Sequence, residues 1–206
     1  MGFLADFLKS MSKVNDSSGA PTIGGGFSIP LGSGFDVQTD AANARMRLES
    51  LQDEAIAQFP AEGSMTKCNW GLNHIALGLD CLDFDGLAPG IGDKDALNAT
   101  CMVRRARELC MSKPQEWRED SWERAVAHAM KGGLAFIGEE AQPGEAHGHV
   151  ATVAPRPMQR SPSWMTDVPV VANVGKPPNA YKLLSACWRR EAQPMLHCFL
   201  WRSGQL

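Results

Sequence analysis

Cys68, His149 and Asn173 are residue types that can together do acyl-transfer chemistry. Nucleophilic catalysis by a thiol needs a thiolate, a base that holds its proton, and a third polar group that orients the base. Cys68 stands in Met65-Thr66-Lys67-Cys68-Asn69-Trp70-Gly71, where a Gly- and Ser-containing approach gives way to apolar residues at Leu72, Ile75, Ala76 and Leu79. That spacing is one face of a helix. A thiol in the first turn of a helix lies at the positive end of the macrodipole, which favours the thiolate. First-turn amides also lack an intrahelical acceptor, so the Cys68 N–H is a natural oxyanion donor. The competing reading is a buried, inert cysteine.

The base expected for this thiol is His149, about eighty residues downstream, which opens the apolar run Val150-Ala151-Thr152-Val153-Ala154. A rigid strand can hold an imidazole within hydrogen-bond reach of a thiol presented by a packed helix. Gly148, just before it, leaves room for a substrate backbone. Asn173, late in the next strand-like run, is placed to meet the distal ring nitrogen, and Asp167 is the alternative. His147 lies two residues before His149, as a second base candidate or a cleft-lining residue. His74 is disfavoured as base, because helix residues six apart point to different sides. Asn69 and Trp70 flank the nucleophile. Trp164, in the polar stretch Ser161-Pro162-Ser163-Trp164, is the tryptophan expected to touch substrate. Trp117, Trp122, Trp188 and Trp201 are expected in the core.

These residues must be positioned by a small set of elements. Residues 1–36 form an appendage: an amphipathic helix at 2–12 (Phe3, Leu4, Phe7, Leu8, Met11), then a Gly- and Ser-rich arm. The helix packs on its own domain or, in the functional reading, touches a partner or a membrane surface. A folded domain at 37–206 follows. Its first helix carries Ala41, Ala44, Leu48, Leu51 and Ala55, is capped at Thr39 or Asp40 and ends at Pro60. Further helices are expected at Cys68–Leu79, 96–111, Trp122–Met130 and 180–188. Strands are expected at 134–137, 149–154, 168–174 and 195–202. Helices first and strands afterwards predict an α+β fold with an antiparallel sheet.

Composition narrows the function classes. The chain has 206 residues and a formal net charge of −3, with no block of Lys or Arg, so nucleic acid is not the expected partner. Its apolar runs are too short to span a membrane. The first residues lack a basic n-region and a cleavage site, so a chain made in the cytoplasm without a signal peptide is expected. The six cysteines are scattered, with no C-x-x-C pair, which argues against both a disulfide framework and a zinc ribbon. Asp83, Asp85 and Asp93 lack the spacing and closing Glu of an EF-hand. The thiol chemistry needs no metal or organic cofactor.

Thr66-Lys67-Cys68-Asn69-Trp70 before a helix, Gly133-Leu134-Ala135-Phe136-Ile137, and His147-Gly148-His149-Val150-Ala151-Thr152-Val153 together resemble the papain-like peptidoglycan amidases. These are the CHAP- and NlpC-type cell-wall hydrolases and the related amidase effectors of type VI secretion. The likeness spans roughly residues 62–202 in layout and is carried by these short motifs. It departs at 81–133, which is longer and more helical than in simple members, and near Asn173, where the Glu-Asn pair of CHAP proteins is missing. The resemblance implies a papain-like cysteine hydrolase that cuts amide bonds in bacterial peptidoglycan through a thioester. It implies Cys68 as nucleophile, His149 as base and a polar residue on the next strand. Without a signal peptide, such an enzyme fits a phage lysin, a virion-borne hydrolase or a secreted toxin. It would act in the periplasm or cell wall, and a toxin would need an immunity partner in its producer. The alternatives are a deamidase or acyltransferase on the same fold, and a non-catalytic structural or adaptor protein of a phage particle.

Overall fold

A computed structural model of the chain describes residues 37–60, 67–84, 98–142, 148–175 and 177–202, all within the compact unit Asp36–Leu206. The helix expected at 2–12 and the arm after it lie outside the described residues, as do Met65, Thr66 and His147.

Helix α1 (Val37–Gln58) buries Leu48, Gln52 and Ala55, which recur at helical spacing, and Pro60 stops it. It starts at Val37, ahead of the Thr39 or Asp40 cap expected from the sequence. Helix α2 (Cys68–Gly78) buries Leu72, Ile75 and Ala76. It lies so close to α1 that a side chain at Gly78 would meet Leu51 at 2.3 Å. Helix α3 (Ala99–Ser112) is capped by Asn98, whose side chain accepts from the Cys101 N–H at 3.0 Å, and buries Met102, Val103, Ala106 and Leu109. Helix α4 (Trp122–Ala129) is capped in the same way by Ser121.

The strands are β1 (Trp117–Glu119), β2 (Ala135–Glu139), β3 (His149–Val153), β4 (Gln159–Arg160), β5 (Asp167–Val168), β6 (Val170–Asn173), β7 (Ala180–Leu183) and β8 (His197–Trp201). Six of them form one sheet in the order β1-β8-β2-β3-β6-β7, with every neighbouring pair antiparallel; β4 and β5 form a separate hairpin. The result is the α+β layout with an antiparallel sheet that the order of elements predicts.

β3 is buried at every position and β2 from Ala135 to Gly138, so the central strands read as continuous apolar runs and not as alternation. Register puts Phe136 opposite Thr152 and Phe199, which sets the three on one face. Phe84 and Trp117 meet that face edge-on, and the buried Gln52 of α1 donates to Thr152 Oγ1 and to the Val153 carbonyl there. Gly138 leaves the space that Val103 of α3 and Val150 fill.

The helix expected at 180–188 is a correction. Ala180–Leu183 is the edge strand β7 paired with β6, and only a single turn, α5 (Leu184–Cys187), follows it. The apolar residues Leu183, Leu184, Cys187 and Trp188 imitate a helical stripe, but Tyr181 favours a pleated surface and its hydroxyl donates to Asp53 of α1 at 2.9 Å. The last strand begins at His197, because a 3₁₀ stretch over Arg190–Met195 holds Pro194. Strand β1 and the β4–β5 hairpin were not expected; both are too short to carry a periodic signal.

Candidate active site

Cys68 is the first residue of α2, as the spacing of Leu72, Ile75 and Ala76 predicts. It is buried, and the side chain of Lys67 at the N-cap makes no capping bond. The amides of its first turn therefore point out of the helix beside the thiol, in a region of positive potential.

His149 opens β3 and Asn173 closes β6. The register of Thr152 with Ala172 and Val153 with Val171, carried back along the ladder, places Ala151 opposite Asn173 and sets His149 diagonal to it on the same face. The two side chains meet: the His149 Nε2–H donates to Asn173 Oδ1 at 3.1 Å. An amide oxygen only accepts, so Nε2 carries the proton in this pair. In the neutral ring Nδ1 then holds the lone pair, and it is the nitrogen able to take a proton from a thiol. Asn173 is fully buried and His149 nearly so.

The Cys68 turn is fastened to the same strand end by two glycines. Gly175, two residues beyond Asn173, has φ +73°, and a Cβ there would lie 2.1 Å from the Lys67 nitrogen and 2.7 Å from that of Cys68. Gly71, in the first turn of α2, lies against Val174, where a Cβ would meet the valine side chain at 2.7 Å. Backbone thus packs on backbone at Gly175 and on the Val174 side chain at Gly71, and the helix start is set beside Asn173. The Gly175 N–H in turn donates to Asn179 Oδ1 at 2.9 Å, while Asn179 Nδ2 donates to the Ile56 and Phe59 carbonyls at the end of α1. Helix, strand end and loop therefore form one fixed corner.

Trp188 completes the surroundings of the imidazole. Its ring centroid is 4.8 Å from that of His149, at 46°. Its indole Nε1 is buried and has no hydrogen-bond partner among the described residues. The indole excludes water from the His149–Asn173 bond, which strengthens it. Sequence reading assigned Trp188 to the core; its place on the imidazole comes from the turn α5, which the expected long helix concealed.

The other candidates fall in different places. Asn69 is buried beside Cys68, and Trp70 is half-buried, edge-on to Phe59, with the Lys67 ammonium 5.6 Å from its ring. Gly148 meets a different need from the one expected: a Cβ there would lie 2.2 Å from the Glu139 carbonyl of β2. Its N–H donates to Thr100 Oγ1 at the start of α3, and the Ala141 N–H donates to the same oxygen at 2.9 Å. Asp167, the alternative third residue, is exposed on the hairpin, 3.9 Å from Arg160. His74 faces Glu54 at 3.3 Å. Trp164, the tryptophan expected to touch substrate, is 4 % exposed and packs against Trp122.

Three of the other thiols are in unreactive settings. Burial pushes Cys81 up to about 12 and raises Cys198 well above the ordinary range; it raises Cys110 as well. Asp83, one of the acidic residues of that region, is taken up by an ion pair with Lys113 and a 2.7 Å bond from Trp117 Nε1. Among the described residues no group of His, Cys, Asp and Glu is arranged to hold a metal ion. No helix among them is long and apolar enough to cross a membrane.

No family model matches the chain, no curated protein matches it, and no solved structure matches it. The site therefore rests on its own geometry.

Proposed function

We propose that the chain is a papain-like cysteine amidase that cuts amide bonds in bacterial peptidoglycan peptides. The observation that carries the thiol chemistry is the buried 3.1 Å bond from His149 Nε2 to Asn173 Oδ1, at a strand end packed directly on the Cys68 turn. The substrate class rests on the likeness of the Cys68 and His149 motifs to cell-wall amidases.

In the first half-reaction the Cys68 thiol gives its proton to His149 Nδ1 and the sulfur attacks the amide carbonyl carbon. The oxyanion is held by first-turn amides of α2, the Cys68 N–H among them. Asn173 holds the ring while it is cationic. Collapse breaks the carbon–nitrogen bond, the amine leaves with the proton from His149, and a thioester remains on Cys68. In the second half-reaction water gives a proton to Nδ1 and attacks the thioester. The carbon–sulfur bond breaks, the carboxylic acid departs, and the proton returns to sulfur. Neither half-reaction uses a metal or an organic cofactor.

In this reading the enzyme works in the periplasm or cell wall, carried there by a phage particle or a secretion system. Incubating purified peptidoglycan with wild type and with Cys68→Ala, followed by mass analysis of the fragments, tests it. New amine and carboxyl ends made only by the wild type support the proposal; identical fragment profiles defeat it. Transfer of the acyl group to an added amine in place of water would point to the acyltransferase alternative.

A further inference from the structure

Side chains alternate along β3, so His149, Ala151 and Val153 share one face of the sheet and Val150 and Thr152 the other. The second face is the one that α1 reaches through Gln52 and α3 through Val103. On the first face the imidazole is covered by Trp188, which directly follows the four-residue turn α5. A helical turn this short is not stable by itself in water, so tertiary contacts must hold it. Two hydrogen bonds do so. The Leu184 N–H donates to the Pro169 carbonyl at 2.9 Å, and Ser185 Oγ accepts from Ser161 Oγ at 2.7 Å.

Ser161 follows β4 and opens the connection to β5. It is fully buried, and each of its polar groups is engaged. Its N–H donates to the Thr166 carbonyl at 2.8 Å, and its own carbonyl accepts from the Met165 N–H at 2.9 Å. Its hydroxyl oxygen accepts from the Trp164 N–H at 3.1 Å and lies 3.2 Å from Ser163 Oγ. A hydroxyl has a single proton, and Ser161 gives it to Ser185, outside the hairpin, so Ser163 is the donor of its pair. The hairpin is itself fixed. The Trp164 ring is buried against Trp122 of α4, with centroids 6.0 Å apart. Met165 is exposed and held at φ +58°, a left-handed backbone that disfavours any residue with a Cβ. Strain of this kind persists only where the surroundings over-determine the conformation. Here they fix the loop that aims the Ser161 hydroxyl.

From this chain of contacts we infer that Ser161 is a positioning residue for His149. The hairpin, anchored on α4, holds the α5 turn through the Ser161–Ser185 bond and so sets the Trp188 indole on the imidazole. The inference rests on the proposed thiol chemistry and adds to it a part of the molecule outside the catalytic corner. With the bond broken, the turn loosens, the indole tilts, and water reaches the His149 Nε2–H that Asn173 accepts.

The test follows the His149 Nε2–H by NMR in the full chain and measures how fast it exchanges with water. Ser161→Ala should speed exchange about three- to tenfold, the range for one lost hydrogen bond. Ser185→Ala cuts the same bridge from the other side and should do the same; it carries the test if Ser161→Ala does not fold. The double variant should be no faster than either single one, because the two residues act as one link. Ser163→Ala removes a bond to the same hydroxyl inside the hairpin and should leave exchange as in wild type. In the active enzyme Ser161→Ala should lower kcat and leave KM near wild type. Unchanged exchange in both single variants overturns the inference, as does a double variant whose effect is the product of the two. So does equal acceleration by Ser163→Ala. A wild-type Nε2–H that exchanges too fast to observe overturns it too, since the indole then keeps no water from the bond. Failure of wild type to cut any wall peptide defeats the peptidase reading instead, and the ring-proton exchange still decides the role of Ser161.

Discussion

His149 Nε2 and Asn173 Oδ1 are 3.1 Å apart across two neighbouring strands, with Trp188 lying over the imidazole. The bond fixes the ring's tautomer, so the two residues should fail differently. His149→Ala removes the proton carrier and should lower kcat/KM on a peptide substrate by about 10²–10⁴-fold. Asn173→Ala keeps the ring but frees it, so a smaller loss is expected, together with about 1–3 kcal/mol of stability for the broken buried bond. Steady-state kinetics and urea unfolding of the two variants check this; full activity in Asn173→Ala would remove it from the mechanism.

Gly175 sets the position of Cys68, the proposed nucleophile, through its missing side chain. Alanine at φ +73° costs about 1–2 kcal/mol in backbone strain. Its Cβ would also run into the Lys67 and Cys68 nitrogens. Gly175→Ala should therefore destabilise the fold and reduce the acylation rate beyond what the stability change explains. Single-turnover kinetics, at a temperature where the variant is still folded, measure the second effect.

Thiol labelling should separate the cysteines. Cys81 and Cys198 are held as thiols by burial, so a native protein treated with an alkylating agent near neutral pH should leave both unmodified. Cys81→Ala and Cys198→Ala should retain catalysis, at a cost in packing, whereas Cys68→Ala should lose it. Peptide mapping that finds Cys68 no faster than a model thiol would argue against an activated nucleophile.

Asp83 gives the fold a predictable acid response. Burial alone would raise its pKa, but the bonds from Lys113 and Trp117 outweigh burial and hold it below the ordinary carboxylate value. A depressed folded-state pKa contributes stability that is fully present above the unfolded value, about 3.9, and is lost as pH falls through the folded value. Asp83→Asn should thus cost about 1.5–3 kcal/mol at pH 7, the range for hydrogen bonds to a charged group. The gap between variant and wild type in urea unfolding should shrink as the pH drops below about 4.

Much of the corner around Cys68 was legible from local pattern. The stripe from Leu72 to Ala76 gave the helix start, and the apolar run after His149 gave the strand. Asn173 as third residue followed from strand order, and its preference over Asp167 came from register, which no single strand encodes. Trp188 and Gly175 were hidden for a different reason. Their roles depend on approach between segments far apart in sequence, and a glycine's absent side chain leaves no periodic mark. The packing of Trp164 against Trp122 was not legible either, because it depends on a hairpin too short to carry a periodic signal.

Thr100 offers one hydroxyl to two amides, those of Ala141 and Gly148. Both feet of the connection between β2 and β3 are thereby pinned to the start of α3, independently of whatever lies between them. The start of the strand that carries His149 is therefore anchored to α3, and any shift of that helix end is passed to His149 along a single hydroxyl.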